Sequence, residues 1–323
     1  MKTAAVLTAL LALAAAGCRH SPAEAGSQRA LSYREALHWD IPPSPQGQPH
    51  GLQGIAIGPN GEVFVADAEG HRIVVCSADG KILREIRPPR GRPDLLQMPF
   101  ALLHDGQGRL YVTDYAADQV QVFSLDGKFL FAWGHEGEGP GEFRSPVAIA
   151  QDRQGNLYVA EFYNHRIQKF SADGKFLMTW GKEGDWNQPN QPPEYMLYPS
   201  GLDVGPDGNM YVADGGRDKI KVFSPSGKFL RQFGVKGPEP GKFNALAALS
   251  FDAAGRLHEA DSSAHRVQMF SKEGTFLAAW SLPDGERLQV WSPSRILAYG
   301  DFLFVSDVAG GRIYKLQIAE VRK

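Results

Sequence analysis

The phrase that closes at Asp214 and resumes at Lys219, YVAD followed by four residues and a partner position that is basic in all copies but one, occurs six times along the chain. No other feature limits the possible folds so tightly. FVAD closes at Asp67, YVTD at Asp114, YVAE at Glu161, HEAD at Asp261 and FVSD at Asp307, and successive acids lie 47, 47, 53, 47 and 46 residues apart. Five residues after each acid stands Arg72, Gln119, Arg166, Lys219, Arg266 or Arg312. Repetition at that period means one supersecondary unit copied along the chain, each copy burying its apolar faces against its neighbours.

Each unit reads as four strands. A short apolar strand such as GIAIG (54–58) or VAIAQ (147–151) comes first, and the acid-ending strand second. A third strand such as HRIQKF or DKIKVF follows, then a fourth such as KFLFAW or KFLMTW. The first turn is of the PDGN type and the last of the SADGK type, with glycine where a tight hairpin demands positive φ. Residues alternate at period two, and β-branched and aromatic types are frequent. Six such small sheets leave only short edges if they stack radially about an axis. The expectation is an all-β fold, a six-bladed β-propeller of four-stranded antiparallel blades. The sixth unit supplies three strands, so Tyr33–Ile41, which places Leu37 and Trp39 much as Leu130 and Trp133 are placed, is expected to close the ring from the N-terminal side.

The stretch GLDVGPDGNMYVADGGRDKIKVFSPSGKFL resembles the NHL repeat, and residues 33–318 as a whole resemble a six-bladed NHL propeller. The resemblance implies that each acid and the basic residue five positions on fix the loop between the second and third strands. Asp67, Arg72, Asp114, Glu161, Arg166, Asp214, Lys219, Asp261, Arg266, Asp307 and Arg312 are thereby read as structural. A carboxylate can take loop N–H groups while a guanidinium fork satisfies several acceptors. His71, His165 and His265 are repeat residues at separate points of the ring. Cys76, standing where other units have Phe, reads as a small buried hydrophobe. Blade five departs from the pattern. His258 replaces an aromatic and Glu259 a valine, and a carboxylate between blades must be paired or lie near the axis.

Ahead of the array, an apolar run from Ala4 to Ala16 follows Lys2 and leads to LALAAAGC, which resembles a bacterial lipoprotein signal. That resemblance implies cleavage before Cys18, lipidation of Cys18 and export. With Arg19 next, it implies outer-membrane sorting toward the periplasm in a bacterium with two membranes. Residues 1–17 are then signal, 18–32 a lipid-anchored tether and 33–323 the propeller. With a formal net charge of −2 and no basic block in the folded region, nucleic acid is not an expected partner. A monomeric propeller is expected.

The turns within blades are short and uniform, whereas the connections between blades vary, so binding is expected on the face carrying those connections and the two-to-three loops. That face offers Phe100, Tyr115, Phe162, Tyr163, Trp186, Glu194, Tyr195, Tyr198 and Trp291 for a protein, peptide or polysaccharide partner. The reading is a non-catalytic envelope-anchored binding or scaffold module without cofactor. The alternative is a metal-dependent lyase or hydrolase with zinc or calcium at the axis. An amidating-lyase-like site would want three histidines in a PHGL-like context, and His50 alone stands in one. A lactonase-like site would want a Glu, Asn and Asp set, for which Glu259, Asn164 and Asp203 are available. No serine sits in a nucleophile elbow and no glycine-rich phosphate loop follows a βα pattern.

Overall fold

The computed structural model describes residues 30–43, 51–88, 91–92, 95–185, 187–188, 191–281 and 292–321. The six units form six four-stranded antiparallel sheets. Blade one comprises Leu52–Ile57, Val63–Asp67, Arg72–Cys76 and Ile82–Ile86. Blades two to five repeat it, their innermost strands being Pro99–His104, Pro146–Gln151, Pro199–Val204 and Leu246–Phe251. Blade six takes Pro293–Tyr299, Phe302–Asp307 and Arg312–Val321 from the C-terminal end of the chain, and Ala30–Asp40 as its outermost strand. The innermost strands touch in cyclic order, with Pro293–Tyr299 returning to Leu52–Ile57.

Apolar alternation dictates where the core lies. There are six clusters of buried side chains, and each is shared by two adjacent blades rather than held within one. Phe64 and Ile73 of blade one pack with Val112 and Phe123 of blade two, and Tyr211 and Ile220 of blade four with Leu249 and Phe270 of blade five. Cys76 belongs to the cluster between blades six and one, fully buried, and burial pushes its thiol up to about 11.

Ring closure uses the repeat's own chemistry. The N-terminal strand pairs with the last strand from Ala30↔Val321 to Asp40↔Arg312, so it begins three residues ahead of Tyr33. Trp39 lies over Gly80 of the last turn in blade one, where an added Cβ would stand 2.6 Å from the indole. Gly174 meets Trp133 in the same way, at 2.7 Å. Both glycines also need positive φ (87° and 84°), so the turn requires glycine twice over. On its other side the strand offers Tyr33, whose hydroxyl bonds His258 Nδ1 at 2.6 Å, while His258 Nε2 meets Asp252 Oδ2 at 3.0 Å. Tyr158 hydroxyl reaches Asp152 at 3.0 Å from the equivalent place in blade three. His258 therefore keeps the tyrosine's contact and adds a second one to the closing strand.

The loop acids are buried and tie the chain leading into a blade to that blade's second strand. Asp114 accepts the N–H groups of Gln97 and Met98, Glu161 that of Arg144, Asp214 that of Leu197, and Asp261 those of Asn244 and Ala245. Asp307 takes Ser292 N–H, and Asp67 takes Gly70 N–H. Arg72, Arg166 and Arg266 pair with the acid five residues earlier at 2.7, 2.5 and 3.2 Å. Two basic residues do not follow that pattern. Lys219 donates to Gly234 O, and Asp214 is instead paired at 2.8 Å with buried Lys221. A lysine ammonium is one compact charge, and only the residue seven positions on points inward to this acid. Arg312 turns to Asp40 of the closing strand, 2.7 Å away, whereas Arg72 keeps Asp67 while also meeting Glu85 of its own outer strand at 2.5 Å.

Replacing Lys221 by Met should leave Asp214 charged and unpaired inside the protein and cost roughly 3–5 kcal/mol. Lys219→Met should cost under about 1 kcal/mol, as expected for a partly exposed chain. Chemical denaturation of the two variants measures both, and equal losses would refute the pairing.

Candidate functional site

Two features of the ring could meet a ligand. The first is an aromatic cluster on the face bearing the two-to-three loops. Phe100, at the start of blade two, lies 5.3 Å from Tyr115 between ring centroids. Phe162 lies 5.1 Å from Tyr163 and 4.7 Å from Tyr198, and Tyr163 stands 6.2 Å from Tyr198. Burial, and then the neighbouring Tyr163 phenol, raise the Tyr115 phenol, so the two groups lie side by side. Tyr163 is half exposed, while Phe100, Tyr115 and Phe162 rest against the core of blades three and four.

His165 supports this cluster from below. It is buried, sits 4.7 Å from Tyr198, and accepts the Tyr198 N–H on Nδ1 at 3.0 Å. Burial holds its pKa below the usual value, which suits an acceptor nitrogen. Its φ of 53° is shared by His71, Asp118, Asp218 and His265, at 50 to 53°, four residues after each acid. The left-handed region favours Asn, Asp and His among non-glycine residues. From that position His71 meets Gln97 O and Asp118 accepts Ser145 N–H, so each of these residues reaches the next blade.

The expected binding residues divide three ways. Phe100, Tyr115, Phe162, Tyr163 and Tyr198 are brought together. Glu194 is exposed and accepts Lys182 N–H on its carbonyl, and Tyr195, in the short parallel pairing of Lys182–Glu183 with Tyr195–Met196, lies under the Lys182 ammonium at 5.9 Å. Trp186, Trp291, His50 and Cys18 lie outside the described residues.

The second feature is the axis. The six innermost strands line a cavity of about 170 Å³ that includes Arg295, Asp203 and Ser250. Arg295 comes from blade six and donates Nη1 to Ser200 O of blade four (2.7 Å) and Ala247 O of blade five (2.6 Å). Its guanidinium lies 4.6 Å from the Phe100 ring of blade two. Burial lowers it to about 10, so it remains charged at neutral pH. Asp203 spans blades through a 2.7 Å bond from Phe251 N–H, and burial pushes it up to about 6. Neither Arg295 nor the shared glutamine position described next was singled out in the sequence. Arg295 stands in PSRI, where the other units carry PFAL and PSGL.

The candidate metal donors are not assembled. Asn164 Nδ2 donates to Gly137 O and Glu161 Oε2 within blade three. Glu259 is fully buried in blade five, with Gln268 Nε2 on Oε2 at 3.1 Å and no partner on Oε1. Among the described residues no three His, Cys, Asp or Glu side chains are grouped to hold an ion, and His50 lies outside them. Gln268 belongs to a set the sequence displays but the reading passed over: Gln121, Gln168 and Lys221 occupy the same position, seven residues after the acid, and bind it.

With ring, latches and closure in place, the chain is a six-bladed β-propeller carrying NHL repeats. Residues 48–76 match the NHL repeat, and residues 95–186 match the family DUF5128, described as a 6-bladed beta-propeller. No curated protein sequence matches it. Among solved structures, virginiamycin B lyase from Staphylococcus aureus is similar at 17% identity and a TM-score of 0.63, covering 89% of this chain and all of the lyase. A gluconolactonase from Xanthomonas campestris is similar at 16% identity and a TM-score of 0.62, covering 84% of this chain and 87% of that one. A protein from Bacteroides thetaiotaomicron shares 15% identity at a TM-score of 0.64, with 90% and 77% covered. Identities this low establish a common architecture.

Burial, and then repulsion from Asp261, raise Glu259 well above the ordinary carboxyl range. Its contribution to stability is complete below the unfolded value near 4.3 and is lost as pH rises through the folded value. Glu259→Gln should therefore melt above the parent at pH 8 and level with it near pH 4. Parallel melting curves from pH 4 to 8 would show that the carboxyl stays ionised.

Proposed function

We propose that this chain is a binding module that docks a protein or peptide on the face carrying the two-to-three loops. The observation that carries the reading is the continuous cluster of Phe100, Tyr115, Phe162, Tyr163 and Tyr198, rigidly seated on the core with Tyr163 half exposed. Rigid aromatic side chains supply contact area at low entropic cost and dominate interface energetics. Lipidation at Cys18 would hold the module at the bacterial envelope, and several acyl chains make such anchoring stable.

The competing reading, a metal-dependent lyase or hydrolase, draws on the names of the two neighbours, a lyase and a gluconolactonase. Its donors here would be His50, Asn164 and Glu259, and the last two are committed to bonds in separate blades. Metal analysis of the purified protein separates the readings. Stoichiometric zinc or calcium, lost on changing His50 or Glu259, would favour the enzyme.

For the binding reading, Tyr163→Ala and Tyr198→Ala should each weaken capture of envelope proteins or peptides by one to a few kcal/mol, about tenfold or more. The Tyr163→Ala melt should stay close to the parent. Undiminished capture in both variants would dismiss the cluster, and retention of cell-wall polysaccharide in place of protein would change the class of partner.

A further inference from the structure

Arg295 is a buried cation at the centre of the ring with no carboxylate paired to it among the described residues. The side chain is 9% exposed. It ion-pairs with no acid among the described residues, and its other contacts are two neutral carbonyls and an aromatic face. Those carbonyls both occupy Nη1. Nε is buried without an acceptor, and Nη2 has none among the described residues. Nε is too deeply buried to be reached, so the nitrogen left for a ligand is Nη2, which can give a carboxylate a charge-assisted hydrogen bond. A charge is not held this far from water without compensation at low cost.

The surroundings define the ligand further. Arg295 lines the axial cavity of about 170 Å³, whose walls are apolar at Ile55, Leu102, Val147, Ile149 and Leu249 and polar at Gln151, Asp203 and Ser250, the carboxyl of Asp203 being engaged by the Phe251 N–H. The volume accommodates a small organic acid or the end of a chain. The Phe100 ring, packed on the guanidinium, helps to hold it in place.

From this arrangement we infer that the axial channel is a carboxylate-binding site, in which Nη2 of Arg295 donates to one carboxylate carried by a small organic acid or by a peptide C-terminus. The site is separate from the docking reading, since a small acid can fill the channel whether or not a macromolecule binds the aromatic face.

The test is thermal melting and calorimetric titration of the full-length chain in detergent, at ionic strength held constant with sodium chloride. Benzoate and a free-acid tripeptide are compared with benzamide and the same tripeptide amidated. The acids should raise Tm saturably and the amides should not. Arg295→Lys, which keeps the charge but cannot hold both carbonyls and a ligand at once, should weaken acid binding at least tenfold, and Arg295→Met should abolish it. Preference for benzoate identifies a small acid as the ligand, and preference for the free-acid tripeptide a chain terminus. Should Arg295→Met fail to fold, the acid–amide comparison on the parent and the lysine variant still decides. Equal effects of acid and amide, or an undiminished response in Arg295→Lys, would overturn the inference. So would a response seen only in the Asp284→Asn, Glu286→Gln double variant, because the guanidinium's counter-ion would then lie in the chain's own 282–291 connection.

Discussion

A carboxylate buried at the end of every second strand is the constraint on which the ring depends. Each would be costly inside the protein if left alone. Each is instead given backbone N–H groups from the segment that enters the blade or from its own loop, and most also receive a cation or amide from the third strand. Glu161 shows the full set: Arg144 N–H, Asn164, Arg166 and Gln168 all donate to it. Burial still raises Glu161, Asp114 and Asp214 above their ordinary range, so desolvation outweighs even this many donors. The connections that could carry function are pinned at their roots and left to vary beyond them.

Because every apolar cluster is shared between neighbours, no blade is complete until both its neighbours are in place. This makes the final joint the critical one. Blade six takes its outer strand from the other end of the described chain, and that strand presents Trp39 to blade one and Tyr33 to blade five. The indole repeats a contact found at other blade junctions, whereas the Tyr33–His258–Asp252 chain of hydrogen bonds occurs at this joint. Burial keeps His258 below its usual pKa despite the adjacent carboxylate, consistent with a neutral ring that accepts from Tyr33 and donates to Asp252. The odd residue in the repeat serves the odd joint in the ring.

The same economy explains where ligands could act. Inner-strand polar groups mostly join adjacent blades: Asp203 to Phe251, Ser250 to Ala298, Ser294 to Leu52. Arg295 also bridges blades, but two bonds on one nitrogen leave most of a guanidinium unused. On the outer face, Phe100 belongs to both features, touching Arg295 on one side and Tyr115 on the other. Through Phe100 the channel and the aromatic face are in physical contact.

The sequence by itself determined the number of blades, the strand order within them, the closing strand and which loops share a face. Those follow from periodicity and turn chemistry, which are local and repeated. It also nominated five aromatics that the fold brings together, since each follows an acid or opens a blade. The tertiary structure decided pairing and proximity. That Lys221 rather than Lys219 holds Asp214, that Arg312 belongs to Asp40, and that Asn164 and Glu259 stay apart depend on which way side chains turn across a twisted sheet. Arg295 was invisible for the same reason: one arginine at the start of a strand has no signature until five other strands surround it and remove the water.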